Sequence, residues 1–435
     1  ADARGAGARR RLTSVDSSYS CLPHYRIPLT GTDGRVTFPY HSEDDLLKGD
    51  PKLTMAFIII HGAMRDADNY FCAFYKLHNL INYRDPDEVF VIAPDFNYAN
   101  DAGVLPSDAF WNRSRPLGDW RAGAHSDPSS GHGITASSYA VLDTFVHILA
   151  DKALFPRLDL ISIVGHSAGG QMVQRYALAT ALPPKIRDGL QVRYVLGNPS
   201  SYAYLDETRP QYSCGSCVCN AAGCECSEDC SPDGPIHAAS LPFVKPDIGF
   251  ALARPGGFVC GHAKYDDWPY GLNNRWGYTE EDIGYTMNRS LALYPERDVT
   301  YLVGQNDTCN DGLPSCDYEC WRRDNPELPC DRNHMDARCP AMLEGPWRKA
   351  RAKLYNKFLA KFYGKRVHRF GIVKGAGHNA TAMFESKIAL DHIFREVVTE
   401  DDTTVGASVA PPAASLHSVV PNLVALLANE PEDDV

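Results

Sequence analysis

A chain of 435 residues with 44% hydrophobic content is long enough to bury one large core and still carry insertions. Its net charge of −11, with no basic stripe interleaved with aromatics, argues against nucleic acid as a partner. No apolar run reaches the roughly 18 residues that a membrane-spanning helix needs, so no transmembrane segment is expected. The charge is uneven: residues 400–435 carry seven acids and no Lys or Arg, whereas residues 1–11 are basic. Fourteen cysteines is high for a reducing compartment and ordinary for an oxidising one. Six lie between Cys214 and Cys230, five between Cys309 and Cys339, and the others are Cys21, Cys72 and Cys260. Complete pairing into disulfides fits the even count, but connectivity cannot be read from spacing. Structural zinc is the alternative at Cys214-x-x-Cys217, although the run CGSCVCNAAGCECSEDC lacks histidine and is spaced unlike a finger or ribbon. A secreted or secretory-lumen protein, monomeric, is the expectation.

In chain order, residues 1–20 are a low-complexity lead expected to be disordered, and one α/β domain is expected over 21–399. Met55–Ile60 is a buried strand (expected over 54–60), followed by the loop His61-Gly62-Ala63-Met64 and a helix near 66–83. A strand near 88–93 and a helix near 135–151 come next. Leu160–Val164, within a strand expected at 159–164, stops at Gly165-His166-Ser167-Ala168-Gly169, and a helix over 168–181 begins at once. Another strand is expected at 191–197, then an insertion at about 203–295 holding the dense cysteine cluster and the aromatic stretch YDDWPYGLNNRWGY. A strand at 299–303 leads to Gln305-Asn306-Asp307, after which a second insertion covers about 308–342. A helix near 343–363, a strand near 367–373, the loop Lys374-Gly375-Ala376-Gly377-His378 and a helix near 379–397 complete the domain, and 400–435 is an acidic low-complexity tail. Strands alternating with helices, most of the strands continuous apolar runs, predict a doubly wound, mostly parallel sheet.

G-x-S-x-G has mechanistic meaning only between a strand and a helix, which is its context here. The turn is tight enough that side chains at Gly165 and Gly169 would clash, and it leaves Ser167 exposed at the carboxyl end of its strand. A serine needs a base, an orienting acid and oxyanion donors to act as a nucleophile. His378, in a glycine-rich loop after a late strand, is placed to be the base, and Asp307 to accept its second N–H, with Asp311 and Asp317 as neighbouring alternatives. The amides of Ala63 and Ala168 are the expected oxyanion donors, with Met64 beside Ala63. His61, His166 and Trp268 are candidate substrate contacts. Trp268, Tyr270 and Trp276 would either line an acyl or aromatic subsite or pack a loop without regular structure. Sequons occur at Asn112, Asn288, Asn306 and Asn379, but a glycan on either of the last two would block the pocket.

The order His61-Gly62, Gly165-His166-Ser167-Ala168-Gly169-Gly170, Asp307, His378 resembles the α/β-hydrolase superfamily. The stretch HGAMRDADNYF, residues 61–71, is similar to the HG-x-x-x-x-A-x-x-Y opening of secreted esterases of the feruloyl-esterase and polyhydroxyalkanoate-depolymerase type. The resemblance covers residues 54–395 in outline. The cysteine-rich insertions depart from compact members; leaving the sheet edge that carries the candidate triad, they are expected to form a lid. The resemblance implies hydrolysis of a carboxylic ester, in a small molecule, lipid or polymer, through an acyl-enzyme and without metal or organic cofactor. A serine peptidase, an acyltransferase or thioesterase, and a non-catalytic secreted binding module are the alternatives.

Overall fold

The computed structural model describes residues 24–80, 83–114, 117–210, 216–220, 223–227, 252–255, 260, 264–281, 287–307, 335–336, 338–345 and 347–394. The expected lead at 1–20, part of the cysteine cluster (Cys214 and Cys230 among it), most of the second insertion and the tail at 400–435 lie outside the described residues, as do Asp311 and Asp317.

Among the described residues nine strands form the main sheet: β1 (His24–Pro28), β2 (Thr37–Ser42), β3 (Met55–Ile60), β4 (Val89–Pro94), β5 (Leu160–His166), β6 (Lys185–Arg187), β7 (Leu190–Gly197), β8 (Asp298–Gly304) and β9 (Arg369–Val373). Their spatial order is β1-β2-β4-β3-β5-β7-β8-β9, with β6 joined antiparallel to β7. From β4 to β9 the pairings along this path are parallel, while β1 and β2 add an antiparallel edge. The principal helices are α1 (Ala67–Leu80), α2 (Ser138–Ala150), α3 (Ala168–Ala179), α4 (Arg348–Tyr363), α5 (Ala380–Phe384) and α6 (Lys387–Phe394).

Layering follows from side-chain alternation. Along β3, Ala56, Ile58 and Ile60 join the apolar cluster that contains residues of α2, α3 and α4. Met55, Phe57 and Ile59 join the opposite cluster with residues of α1, α5 and α6. A strand covered on both faces has no polar side to show, hence the unbroken run MAFIII. In α1 the inward residues Ala67, Phe71, Phe74 and Leu77 recur at three- and four-residue spacing, as one helical stripe requires. Ser137 caps α2 by accepting the Ala140 N–H at 3.1 Å, and α4 ends at Gly364 in the left-handed conformation. The expected α/β class and mostly parallel sheet are thus realised.

Three local expectations differ. The β1–β2 hairpin was not foreseen: HYRIP and TFPYHS contain proline and polar residues and so lack the continuous apolar run by which the other strands are read, although β2 is paired on both sides. The helix expected from 343 begins at Arg348, because Gly345 at φ 139° is non-helical and separates it from a short helix at Cys339–Met342. The helix expected over 379–397 is two helices, α5 and α6.

The described parts of the first insertion are built into the body. Tyr204, Leu205, Trp268, Trp276 and Tyr278 are buried in the main cluster. Buried Arg209 pairs with Asp266 at 2.9 Å, and Arg175 of α3 donates to the Pro269 carbonyl at 3.1 Å. A disulfide joins Cys260 to Cys339, linking the two insertions, and Cys72 of α1 is also disulfide-bonded. Within the cysteine cluster, 216–220 and 223–227 pair as an antiparallel ladder that opposes Cys217 to Cys226 and Cys219 to Cys224. Among the described residues no helix is long and apolar enough to cross a membrane.

The core arrangement makes a quantitative prediction. Phe57 is fully buried, with the Phe74 ring at 5.7 Å and the Phe394 ring at 5.5 Å. Phe57→Ala is expected to cost about 3–5 kcal/mol, read as a shift in urea midpoint at constant m-value. A loss well under 1 kcal/mol would mean that α1 and α6 do not close over β3 as described.

Candidate active site

The turn after β5 is set by contacts that leave no room for side chains. A Cβ on Gly165 would lie 2.4 Å from the Gly169 main chain, and one on Gly169 only 2.3 Å from the Ile60 carbonyl oxygen. With both positions bare, α3 starts directly against the ends of β3 and β5. Ser167 carries the resulting strain at φ 56° and ψ −112°, a region that L residues rarely occupy. Its N–H donates to the Gly197 carbonyl at 2.9 Å, tying the turn to the end of β7. Ala168 opens α3, so its N–H belongs to the first turn, which has no acceptor within the helix.

Two loops from neighbouring strands meet this serine. Asp307 follows β8 and is fully buried; His378 follows β9. His378 Nε2 lies 2.9 Å from Ser167 Oγ, and its Nδ1 lies 2.8 Å from Asp307 Oδ2. An ionised carboxylate only accepts, so Nδ1 carries the proton and Nε2 is left to accept from the hydroxyl. The loops are locked to one another: Gln305 N–H donates to the Val373 carbonyl at 3.0 Å and Asn306 N–H to that of Ala376 at 2.8 Å. Asn306 is buried there, which leaves no room for a glycan.

Four residues around this line had no stated role at the level of sequence. Arg348, at the start of α4 and fully buried, places Nη1 3.3 Å from Asp307 Oδ1, so the carboxylate is shared between a guanidinium and an imidazole. Asn198, left-handed at φ 50°, accepts the Gly304 N–H at 2.7 Å and donates to the Gly377 carbonyl at 3.0 Å, bracing both loops. Tyr70 of α1 places its hydroxyl 3.1 Å from His166 Nδ1, and the Gly62 main chain hydrogen-bonds to the same hydroxyl. Trp120 packs edge-on against His61 at 5.1 Å and stacks on Phe96 at 5.2 Å. Of these, Tyr70 alone has a visible sequence signal, the tyrosine of the HG-x-x-x-x-A-x-x-Y pattern.

The other expected site residues fall into two groups. Gly62 and Ala63 stand beside the elbow: a Cβ on Gly62 would be 3.9 Å from Ser167 Cβ, and Ala63 and Met64 are exposed. His61, by contrast, is completely buried. Its Nε2 accepts the Phe96 N–H at 3.1 Å, and its Nδ1 is 2.8 Å from the Gly62 carbonyl. His166 is buried with its ring 4.7 Å from that of His378. Burial first, then the His378 and Arg348 charges, hold His166 well below the ordinary histidine range, so it stays neutral. Trp268 is buried and donates its indole N–H to the Ala122 carbonyl at 2.8 Å.

Two substitutions test this geometry. Gly169→Ala should destabilise by at least the roughly 1–3 kcal/mol of overpacking, since the obstacle is main chain; an unchanged melting temperature would contradict the contact with β3. Arg348→Met leaves a buried carboxylate without its guanidinium, and should cost about 3–5 kcal/mol in chemical denaturation. A neutral result there would mean that Asp307 does not depend on Arg348.

No protein-family model and no curated protein matches the chain. Among solved structures it is similar to a poly(3-hydroxybutyrate) depolymerase from Bordetella parapertussis, at 15% identity over 87% of this chain and 91% of that one, with a TM-score of 0.47. It is also similar to a poly(aspartic acid) hydrolase from Sphingomonas sp. KT-1, at 18% identity, 83% and 95% coverage and a TM-score of 0.42. A CE1 ferulic acid esterase from Anaeromyces mucronatus aligns at 12% identity, 89% and 93% coverage and a TM-score of 0.30. The strand–turn–helix elbow on β5, within a mostly parallel sheet covered on both faces, gives this chain the α/β-hydrolase fold.

Proposed function

We propose that this chain is a serine hydrolase that cleaves carboxylic ester bonds through a Ser167–His378–Asp307 triad. One observation carries the reading: an unbroken hydrogen-bonded line from a buried carboxylate through an imidazole to a serine held in a strained turn. In the proposed mechanism Ser167 Oγ attacks the ester carbonyl carbon while its proton passes to His378 Nε2. Asp307 accepts the Nδ1–H and stabilises the imidazolium. The carbonyl electron pair moves to oxygen, where the amides of Ala63 and Ala168 hold the oxyanion. Collapse of the tetrahedral intermediate breaks the bond to the alcohol, which leaves with the proton from His378. Water, deprotonated by His378, then attacks the acyl-enzyme, releasing the acid and restoring Ser167. This chemistry draws on no metal and no organic cofactor.

The three expected substrate contacts take supporting roles in this reading. His61, with both ring nitrogens at the main chain, positions the Gly62–Ala63 loop. His166 lies against His378 as an uncharged wall, so no second cation opposes formation of the imidazolium. Trp268 supports the core behind the 120–122 turn. Disulfide bonds at Cys260–Cys339 and at Cys72 support an oxidising location, secreted or luminal.

Labelling with a fluorophosphonate probe, located by mass spectrometry, tests the nucleophile without knowledge of the substrate. Label is expected on Ser167, and Ser167→Ala should lose it together with hydrolysis of short p-nitrophenyl esters, a drop on the order of 10⁶ in turnover. Asp307→Asn should cost roughly 10⁴ by favouring the wrong imidazole tautomer. Label on another serine, or an Asp307→Asn variant of full activity, would sink the assignment.

A further inference from the structure

The outer edge of the sheet brings together three groups that the proposed ester chemistry does not use. His24 of β1 and His41 of β2 are direct register partners, so their side chains emerge on one face. Their rings stack with centroids 4.7 Å apart. His41 is paired in turn with Ala93 of β4, and Asp95, two residues beyond, returns to the same face. One nitrogen from each histidine and one Asp95 oxygen all lie within 4.8 Å of one another, with His24 Nε2 3.7 Å from Asp95 Oδ2.

Burial makes this grouping costly as it stands. His41 is 5% exposed and Asp95 is 7% exposed. Neither His24 Nε2 nor His41 Nδ1 has a hydrogen-bond partner among the described residues. Buried polar atoms almost always find one, and 3.7 Å is beyond hydrogen-bond reach. Two orphan imidazole nitrogens beside a carboxylate are a donor set for a cation of intermediate softness. Asn97 donates to Asp95 Oδ2 at 2.8 Å, the kind of outer contact that orients a ligating carboxylate. Asp68 of α1 adds negative charge to the same neighbourhood.

We propose that His24, His41 and Asp95 form a binding site for a divalent transition-metal ion of the Zn²⁺ type, separate from both the Ser167 centre and the cysteine cluster. Bonds of about 2.0–2.2 Å in a tetrahedral shell place ligand atoms roughly 3.3–3.5 Å apart. Closing the group around an ion therefore takes side-chain shifts on the order of 1 Å. The His24 side chain is 22% exposed although its Nε2 is buried, so the grouping lies just beneath the surface. A bound ion would cross-link the β1–β2 edge to the end of β4. The next residue, Phe96, donates its N–H to His61, so the brace would also stiffen the loop that carries Ala63.

The test uses the full chain, stripped with a chelator and with free thiols alkylated under native conditions. Zn²⁺ is titrated in competition with a chromophoric chelator, and Co²⁺ is used as a spectroscopic substitute. One equivalent of Zn²⁺ is expected, with visible Co²⁺ bands of four-coordinate intensity and a rise in melting temperature on metal saturation. His24→Ala and the near-isosteric Asp95→Asn should each weaken Zn²⁺ by more than the roughly 10–100-fold that follows loss of an outer-shell partner, and should abolish the thermal shift. Circular dichroism shows whether each variant is folded; the smaller burial of His24 makes its variant the safer of the two. Absence of Zn²⁺ binding by the wild-type chain would overturn the proposal. So would an equivalent of Zn²⁺ that persists undiminished in folded His24→Ala and Asp95→Asn, as zinc held by cysteines would.

Discussion

The close approach of three main-chain segments at the elbow is the constraint on which the rest depends. Gly169 lies where any side chain would strike the Ile60 carbonyl, and Gly165 where it would strike Gly169. Only with both bare can the first turn of α3 sit over the carboxyl ends of β3 and β5. That placement puts Ser167 between the Gly62 loop and the two loops that follow β8 and β9. The positive φ of Ser167 is affordable because the strain is opposed by a fully buried helix and a central strand. The geometry of the site is therefore a property of packing in the body of the sheet.

Electrostatics around the line are arranged in the same way, by burial and sharing. Asp307 is cut off from water, and its charge is divided between His378 and Arg348. A carboxylate in such a place would be costly alone, and the arginine offsets that cost while fixing the direction in which the second oxygen points. On the far side of the imidazole, His166 is held neutral by burial. Tyr70 connects it to the Gly62 loop, so α1, β3, the elbow and the β9 loop form one polar circuit. Asn198 closes that circuit from β7.

The described parts of the first insertion show how a region with little regular structure is stabilised. Several of its aromatic residues enter the main cluster, and its buried Arg209 donates to main-chain carbonyl groups of the same insertion. Arg209 serves Tyr265 and Tyr270 in this way while pairing with Asp266. The aromatic stretch at 265–278 looks alike in sequence whether it lines a pocket or fills a core. In the structure Trp268 gives its indole N–H to the Ala122 carbonyl, and Trp268, Trp276 and Tyr278 are buried in the main cluster.

The sequence by itself determined the central strands, the elbow and the α/β class. Strands covered on both faces must be apolar throughout, and a turn this tight admits glycine alone at its flanks; both constraints are local and leave a direct trace in residue type. The chain order of Ser167, Asp307 and His378 was legible for the same reason, each lying just past an apolar strand. The β1–β2 edge left no such trace, because its strands gain their conformation from pairing and contain proline and histidine. Arg348, Asn198 and the grouping of His24, His41 and Asp95 were decided only by tertiary structure. Their meaning lies in what stands opposite them across loops and strand registers, and a single polar side chain carries no record in the sequence of which distant partner it will meet.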